Sequence, residues 1–127
     1  KEVLKKYPEV KGILGTSSFD APGTARAIDE LGLKGKVFTA GTGMPAANAQ
    51  ILKDGSVSTL TLWDPANAGY AMASLATKIL NGETIEDGVN LGVEGYESMH
   101  FSSGSTKVLE GTGWLKITKD NVDSLGF

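Results

Sequence analysis

Hydrophobic positions follow two periods over the first two-thirds of the chain. Val10 to Gly15, with Ile13 and Leu14 at its centre, reads as a short buried strand running into the polar loop Thr16-Ser17-Ser18. A helical spacing follows: Ala21, Ala25, Ile28 and Leu31 share one face, Asp20 and Pro22 suit its start, and Gly32 suits its end. Lys36 to Ala40 predicts a second strand, closing on Gly41-Thr42-Gly43. Pro45 opens a second helix with Ala49, Ile51 and Leu52 inward, and Asp54-Gly55 ends it. Val57 to Trp63 is the third strand, rich in β-branched residues and leucine. Asp64-Pro65 is the clearest helix start in the chain, a capping carboxylate followed by proline at the first helical position. That helix runs to about Leu80, with Ala68, Ala71, Met72, Leu75, Ala76 and Ile79 on one face and Asn81-Gly82 at its end. Strands alternating with helices predict right-handed crossovers onto a parallel sheet.

Beyond Gly82 the pattern weakens. Residues 83–113 are glycine-rich, with short extended pieces at Val89 to Val93, Ser98 to Phe101 and Lys107 to Leu109. Trp114 to Thr118 alternates as a strand, and Thr118 to Asp123 reads as a cap and one or two turns of terminal helix. At the other end, Val3, Leu4 and Tyr7 are spaced as the last turns of an amphipathic helix stopped by Pro8. No capping residue precedes them, so the expectation is a chain that begins inside a helix of a longer protein.

Composition narrows the chemistry. The 127 residues suit one domain of ordinary size, and 40% apolar with 21% charged residues is a globular balance. Twelve Lys and Arg against 15 Asp and Glu give a net charge of −3 with no basic block, so nucleic acid is not an expected partner. The absence of cysteine excludes disulfide scaffolds, Cys-ligated zinc and cysteine nucleophiles. A single histidine, His100, leaves little room for a Ser-His-Asp triad or a His-rich metal site, and it falls in an irregular stretch that reads as surface. No carboxylate pair has a spacing suited to acid–base catalysis, and Gly41-Thr42-Gly43 lacks the lysine of a phosphate loop. The expectation is a non-enzyme with no catalytic residue, no metal and no cofactor.

In open parallel α/β sheets ligands bind at the carboxyl ends of the strands. Here those ends carry Thr16, Ser17 and Ser18; Thr42 between two glycines; and Trp63 with Asp64. Hydroxyls and a carboxylate beside an indole face suit a small polyhydroxylated ligand. Each also has a structural reading: Asp64 and Asp20 as helix caps, Trp63 as packing, and the serines and threonines as ordinary loop residues.

The order of these elements resembles the second lobe of type I, ribose-binding-like, periplasmic sugar-binding proteins. The carriers are Ile13-Leu14 with its polar loop and the helix through Thr24-Ala25-Arg26-Ala27-Ile28. More specific are Asp54-Gly55-Ser56-Val57 leading to Leu62-Trp63-Asp64, and the tail Thr118-Lys119-Asp120-Asn121-Val122-Asp123 with Phe127. The last two segments are similar to the branch with autoinducer-2-binding and rhamnose-binding proteins of ABC importers.

That resemblance implies a Rossmann-like parallel sheet with flanking helices, the C-terminal lobe of a two-lobed fold. Residues 1–63 would form that lobe, incomplete at its start. Residues 64–100 would belong to the N-terminal lobe, and 101–127 would cross back. It further implies solute binding in a cleft between lobes, an ABC permease as partner, and a periplasmic or extracellular location, lipid-anchored in a Gram-positive source. The remaining N-terminal lobe would be a second partner. The alternative is the effector domain of a sugar-responsive transcriptional repressor. Carried over by position, Thr16, Ser17, Ser18 and Asp64 are ligand-contact candidates, and the strand-end reading adds Trp63 and Thr42. The autoinducer-2 branch has Pro-Asp-Ala where this chain has Thr16-Ser17-Ser18, which moves the expected ligand from autoinducer-2 toward a pentose, hexose or deoxyhexose. Without its other lobe, the helix after Asp64 would expose Met72, Leu75 and Ile79 and promote self-association.

Overall fold

A computed structural model describes all 127 residues, Lys1–Phe127, as two compact units. Unit 1 comprises Lys1–Leu62 and Lys116–Phe127; unit 2 is Trp63–Leu115. The chain passes from one to the other after Leu62 and returns after Leu115.

Unit 1 opens with helix α1 (Glu2–Lys6), then strand β1 (Gly12–Leu14), helix α2 (Asp20–Glu30), strand β2 (Phe38–Thr42), helix α3 (Pro45–Lys53) and strand β3 (Thr59–Trp63). β1, β2 and β3 pair in parallel, Ile13 opposite Thr39 and Gly41 opposite Leu60. Strand β6 (Trp114–Ile117) extends the sheet beside β3, and a 3-10 turn (Val122–Ser124) follows. The Thr59 hydroxyl donates to the Ile117 carbonyl at 2.9 Å.

One sheet face carries the core. Leu60 and Ile117 are fully buried, and Ile28 of α2 packs with Leu4 and Val37, flanked by Val10, Ile13, Leu31 and Leu33. Register and alternation send Leu14 and Phe38 to the other face, where they are 83% and 55% exposed. The tail is fixed to α3 by the Lys53–Asp123 ion pair. Asn121 Oδ1 accepts from the Thr118 amide and its side-chain amide donates to the Lys116 carbonyl.

Strand boundaries differ from the hydrophobic runs for local reasons. The second strand begins at Phe38 rather than Lys36, because the Lys36 and Val37 amides both donate to the Leu33 carbonyl. It continues through Gly41 and Thr42, which the sequence reads as loop. Gly41 permits this: a Cβ there would meet the Gly15 carbonyl oxygen at 2.9 Å and Gly15 Cα at 3.3 Å. The third strand starts at Thr59: the Val57 amide is taken by the Ile51 carbonyl, and the Ser58 amide makes the first bond to β2, at the Thr39 carbonyl. Helix α2 ends as its glycine predicts. Gly32 adopts φ +64°, and the Leu33 amide returns to the Ile28 carbonyl.

Unit 2 is built on helix α4 (Pro65–Leu80), whose limits match the expected ones. The glycine-rich stretch folds back on itself through a Val89–Met99 bridge and the antiparallel pair β4 (His100–Phe101) and β5 (Leu109–Glu110). Ala71, Leu91 and Met99 are its buried residues, with Leu75, Val89, Val93, Tyr96 and Leu109 packed on them. Met72 and Ile79 remain 69% and 56% exposed, so the α4 stripe is only partly a core. No helix is long and apolar enough to cross a membrane.

Candidate functional site

The loop after β1 is organised by Asp20. This residue does not sit at the helix cap position; Phe19 does, with no side-chain cap bond. Asp20 is the first helical residue, and its carboxylate reaches back so that Oδ2 accepts the amides of Thr16 at 3.0 Å and Ser17 at 2.9 Å. The Asp20 amide donates to the Ser17 carbonyl, and the Phe19 amide to Ser17 Oγ. Ser17 is thereby tied into the loop, whereas the Thr16 and Ser18 side chains are exposed. Phe19 is 85% exposed, the least covered aromatic among the exposed apolar residues, and sequence reasoning passed over it. The signal was present, an aromatic ring in an otherwise polar strand-to-helix loop. Phe19 and Asp20 also line one end of a groove of about 340 Å³ between α1 and α2.

Thr42 is the last residue of β2, half-buried opposite Thr61, whose hydroxyl donates to the Gly41 carbonyl at 3.4 Å. Thr42 and the Thr16–Ser18 loop thus follow the carboxyl ends of adjacent strands in unit 1.

Trp63 and Asp64 begin unit 2. The Asp64 backbone is extended and its side chain caps α4, accepting from the Ala66 amide at 2.7 Å and the Asn67 amide at 3.3 Å. Both bonds fall on Oδ1, so Oδ2 is not spent on capping. Trp63 stands edge-to-face against Trp114, ring centroids 5.4 Å apart at 88°. That contact supplies the packing reading of Trp63, yet the residue is still 43% exposed.

His100 has the partners its isolation in the sequence concealed. Its Nδ1 lies 2.9 Å from Asp87 Oδ2 and its Nε2 3.1 Å from Ser98 Oγ, on an exposed part of unit 2. Asp87 Oδ1 also accepts the Phe101 amide at 2.7 Å. These two partners, the His100 ring first and the Phe101 amide second, hold the Asp87 carboxyl below its ordinary 3.8. A carboxyl with a lowered folded-state pKa stabilises the fold above its unfolded value and loses that contribution as pH falls through the lowered one. The protection factor of the Phe101 amide, its exchange rate corrected for the intrinsic slowing of exchange with falling pH, should therefore drop in the natural chain as pH is lowered through the depressed Asp87 titration. Asp87→Asn should remove that pH dependence; an unchanged profile would mean that the staple does not order this segment.

The functional candidates thus form two local groups: hydroxyls and Phe19 at strand ends in unit 1, and Trp63 with Asp64 at a helix start in unit 2. No group of three or more His, Cys, Asp or Glu side chains could hold a metal ion. Against known proteins, the model of a periplasmic binding protein domain matches residues 1–84. The chain belongs to the periplasmic binding protein domain family.

Solved structures agree with that family in fold. A sugar ABC transporter from Actinomyces odontolyticus is 28% identical, with a TM-score of 0.78 over 99% of this chain and 40% of its own. LsrB from Clostridium saccharobutylicum, in complex with AI-2, is 22% identical, with a TM-score of 0.69 over 99% of this chain and 43% of its own. An arabinose-binding protein, AraP from Geobacillus stearothermophilus, is 24% identical, with a TM-score of 0.68 over 99% and 39%. The last two show the fold alone. No curated protein sequence matches. The chain therefore spans about two-fifths of the length of these structural relatives. As expected, it is α/β, with a mainly parallel sheet and flanking helices like a lobe of a periplasmic binding protein.

Proposed function

We propose that this chain is the C-terminal part of the solute-binding component of an ABC importer for a small sugar. The observation that carries the reading is the division of labour within Asp64: Oδ1 caps α4, and Oδ2 is available to accept sugar hydroxyls. Thr16, Ser18 and Thr42 add hydroxyl donors and acceptors at strand ends, Ser17 contributes its O–H, and Trp63 offers an apolar plane. On this reading sugar is held between two lobes, its contacts stabilise the closed form, and an ABC permease reads that form. The location is periplasmic or extracellular. With Thr16-Ser17-Ser18 in place of Pro-Asp-Ala, a pentose, hexose or deoxyhexose is preferred to autoinducer-2.

The test is calorimetric titration of the intact polypeptide that carries this chain against arabinose, ribose, rhamnose, galactose, glucose and autoinducer-2. Saturable binding of one of the sugars supports the proposal. Silence across the panel overturns it, and sugar-dependent release of operator DNA would favour the repressor alternative.

A further inference from the structure

We infer that Asp20 is a specificity-determining residue: it closes the strand-end loop of unit 1 to anionic ligands and so restricts recognition to uncharged polyols. The inference rests on the sugar-binding reading above and deepens it.

Helix starts beside strand ends attract phosphate and carboxylate groups, because unpaired amides and the helix dipole converge there. In this chain several amides at the helix starts, and two in the loop ahead of α2, are already committed. Asp20 Oδ2 takes the Thr16 and Ser17 amides, Ser17 Oγ takes the Phe19 amide, and the Ser17 carbonyl takes the Asp20 amide. At α3 the Ala46 amide donates to the Phe127 carbonyl at 3.2 Å. In unit 2, Asp64 Oδ1 takes the Ala66 and Asn67 amides.

Charge acts in the same direction. The loops Thr16–Phe19, Thr42–Met44 and Trp63–Pro65 contain no Lys, Arg or His. Lys1, which lines the same groove as Asp20, is paired with Glu30. A phosphorylated or carboxylated sugar would therefore meet a fixed carboxylate and find no cation to offset it. A neutral sugar needs only the Thr16 and Ser18 hydroxyls and the Phe19 ring, which are exposed. Asp20 touches none of the ligand; it acts by occupying the amides.

The probe is inorganic phosphate, titrated into the ¹⁵N-labelled chain at constant ionic strength against chloride. The natural chain should show no saturable shift at the Thr16 and Ser17 amides. Asp20→Ala should acquire one, with phosphate bound roughly 2- to 5-fold more tightly, the range for an anion at an exposed helix start. If Asp20→Ala does not fold, Asp20→Leu carries the same test, since it too leaves no oxygen to accept the Thr16 and Ser17 amides. Saturable phosphate shifts at Thr16 and Ser17 in the natural chain overturn the inference, as does a folded variant that gains none. Neither readout involves sugar, so failure of the sugar panel would sink the carbohydrate reading and leave the phosphate result standing.

Discussion

Ile28→Ala should lower the stability of unit 1 by about 2–5 kcal/mol, the range for truncating a large aliphatic side chain in a packed core. Ile28 is 1% exposed and packs with Leu4 and Val37, with Val10, Ile13, Leu31 and Leu33 around them. Those partners come from α1, the C-terminal end of α2 and the turn after it, β1 and its approach, and the approach to β2, so little can collapse into the space left behind. The loss should reach the candidate site. Helix α2 carries Asp20 at its first position, and Asp20 holds the Thr16 and Ser17 amides. Urea unfolding checks the stability change, and exchange of the Thr16 and Ser17 amides checks its transmission. A loss below about 1 kcal/mol would mean that Ile28 lies in a site able to relax.

What could be read in advance follows from which interactions are local. Helix α4 was legible at both ends, because Asp64-Pro65 and Asn81-Gly82 are local start and stop signals whose bonds lie within a few positions. The three parallel strands were legible in number and order but not in extent, and the extended piece expected at Val89 to Val93 is only the isolated Val89–Met99 bridge. Their ends are decided by which carbonyl captures an amide, as Leu33 does for Lys36 and Val37, and apolar periodicity does not report that. Gly41 belongs to β2 because of Gly15, 26 positions away in sequence, a contact no window of neighbours contains. The candidate site was legible as residue types at strand ends. Its wiring was not. That Asp20 serves the loop before it, and that Asp64 caps through one oxygen only, are facts of side-chain direction. His100 makes the same point from the other side: a lone histidine in a glycine-rich stretch found Asp87 through a reversal of the chain.

Asp64 separates cap from ligand contact most cleanly, because the two roles fall on different oxygens. Asp64→Asn keeps a capping oxygen, and Asn caps helices about as well as Asp. It replaces the second oxygen with an amide that donates instead of accepting and carries no charge. Stability should therefore hardly change, while sugar affinity of the intact polypeptide should fall by about 1.5–3 kcal/mol, roughly 10- to 150-fold. Asp64→Ala removes both functions: it should lose the same affinity and a further ~1 kcal/mol from α4, seen as faster exchange of the Ala66 and Asn67 amides. Calorimetry on the two variants reads the first effect and amide exchange the second. If Asp64→Asn binds sugar as the natural protein does while Asp64→Ala merely frays the helix, Asp64 is a cap alone. Recognition would then have to come from the hydroxyls of Thr16, Ser18 and Thr42, neutral groups whose hydrogen bonds are each worth about 0.5–1.5 kcal/mol. On that scale a single carboxylate oxygen matches two or three hydroxyls, which is why its removal is the decisive substitution.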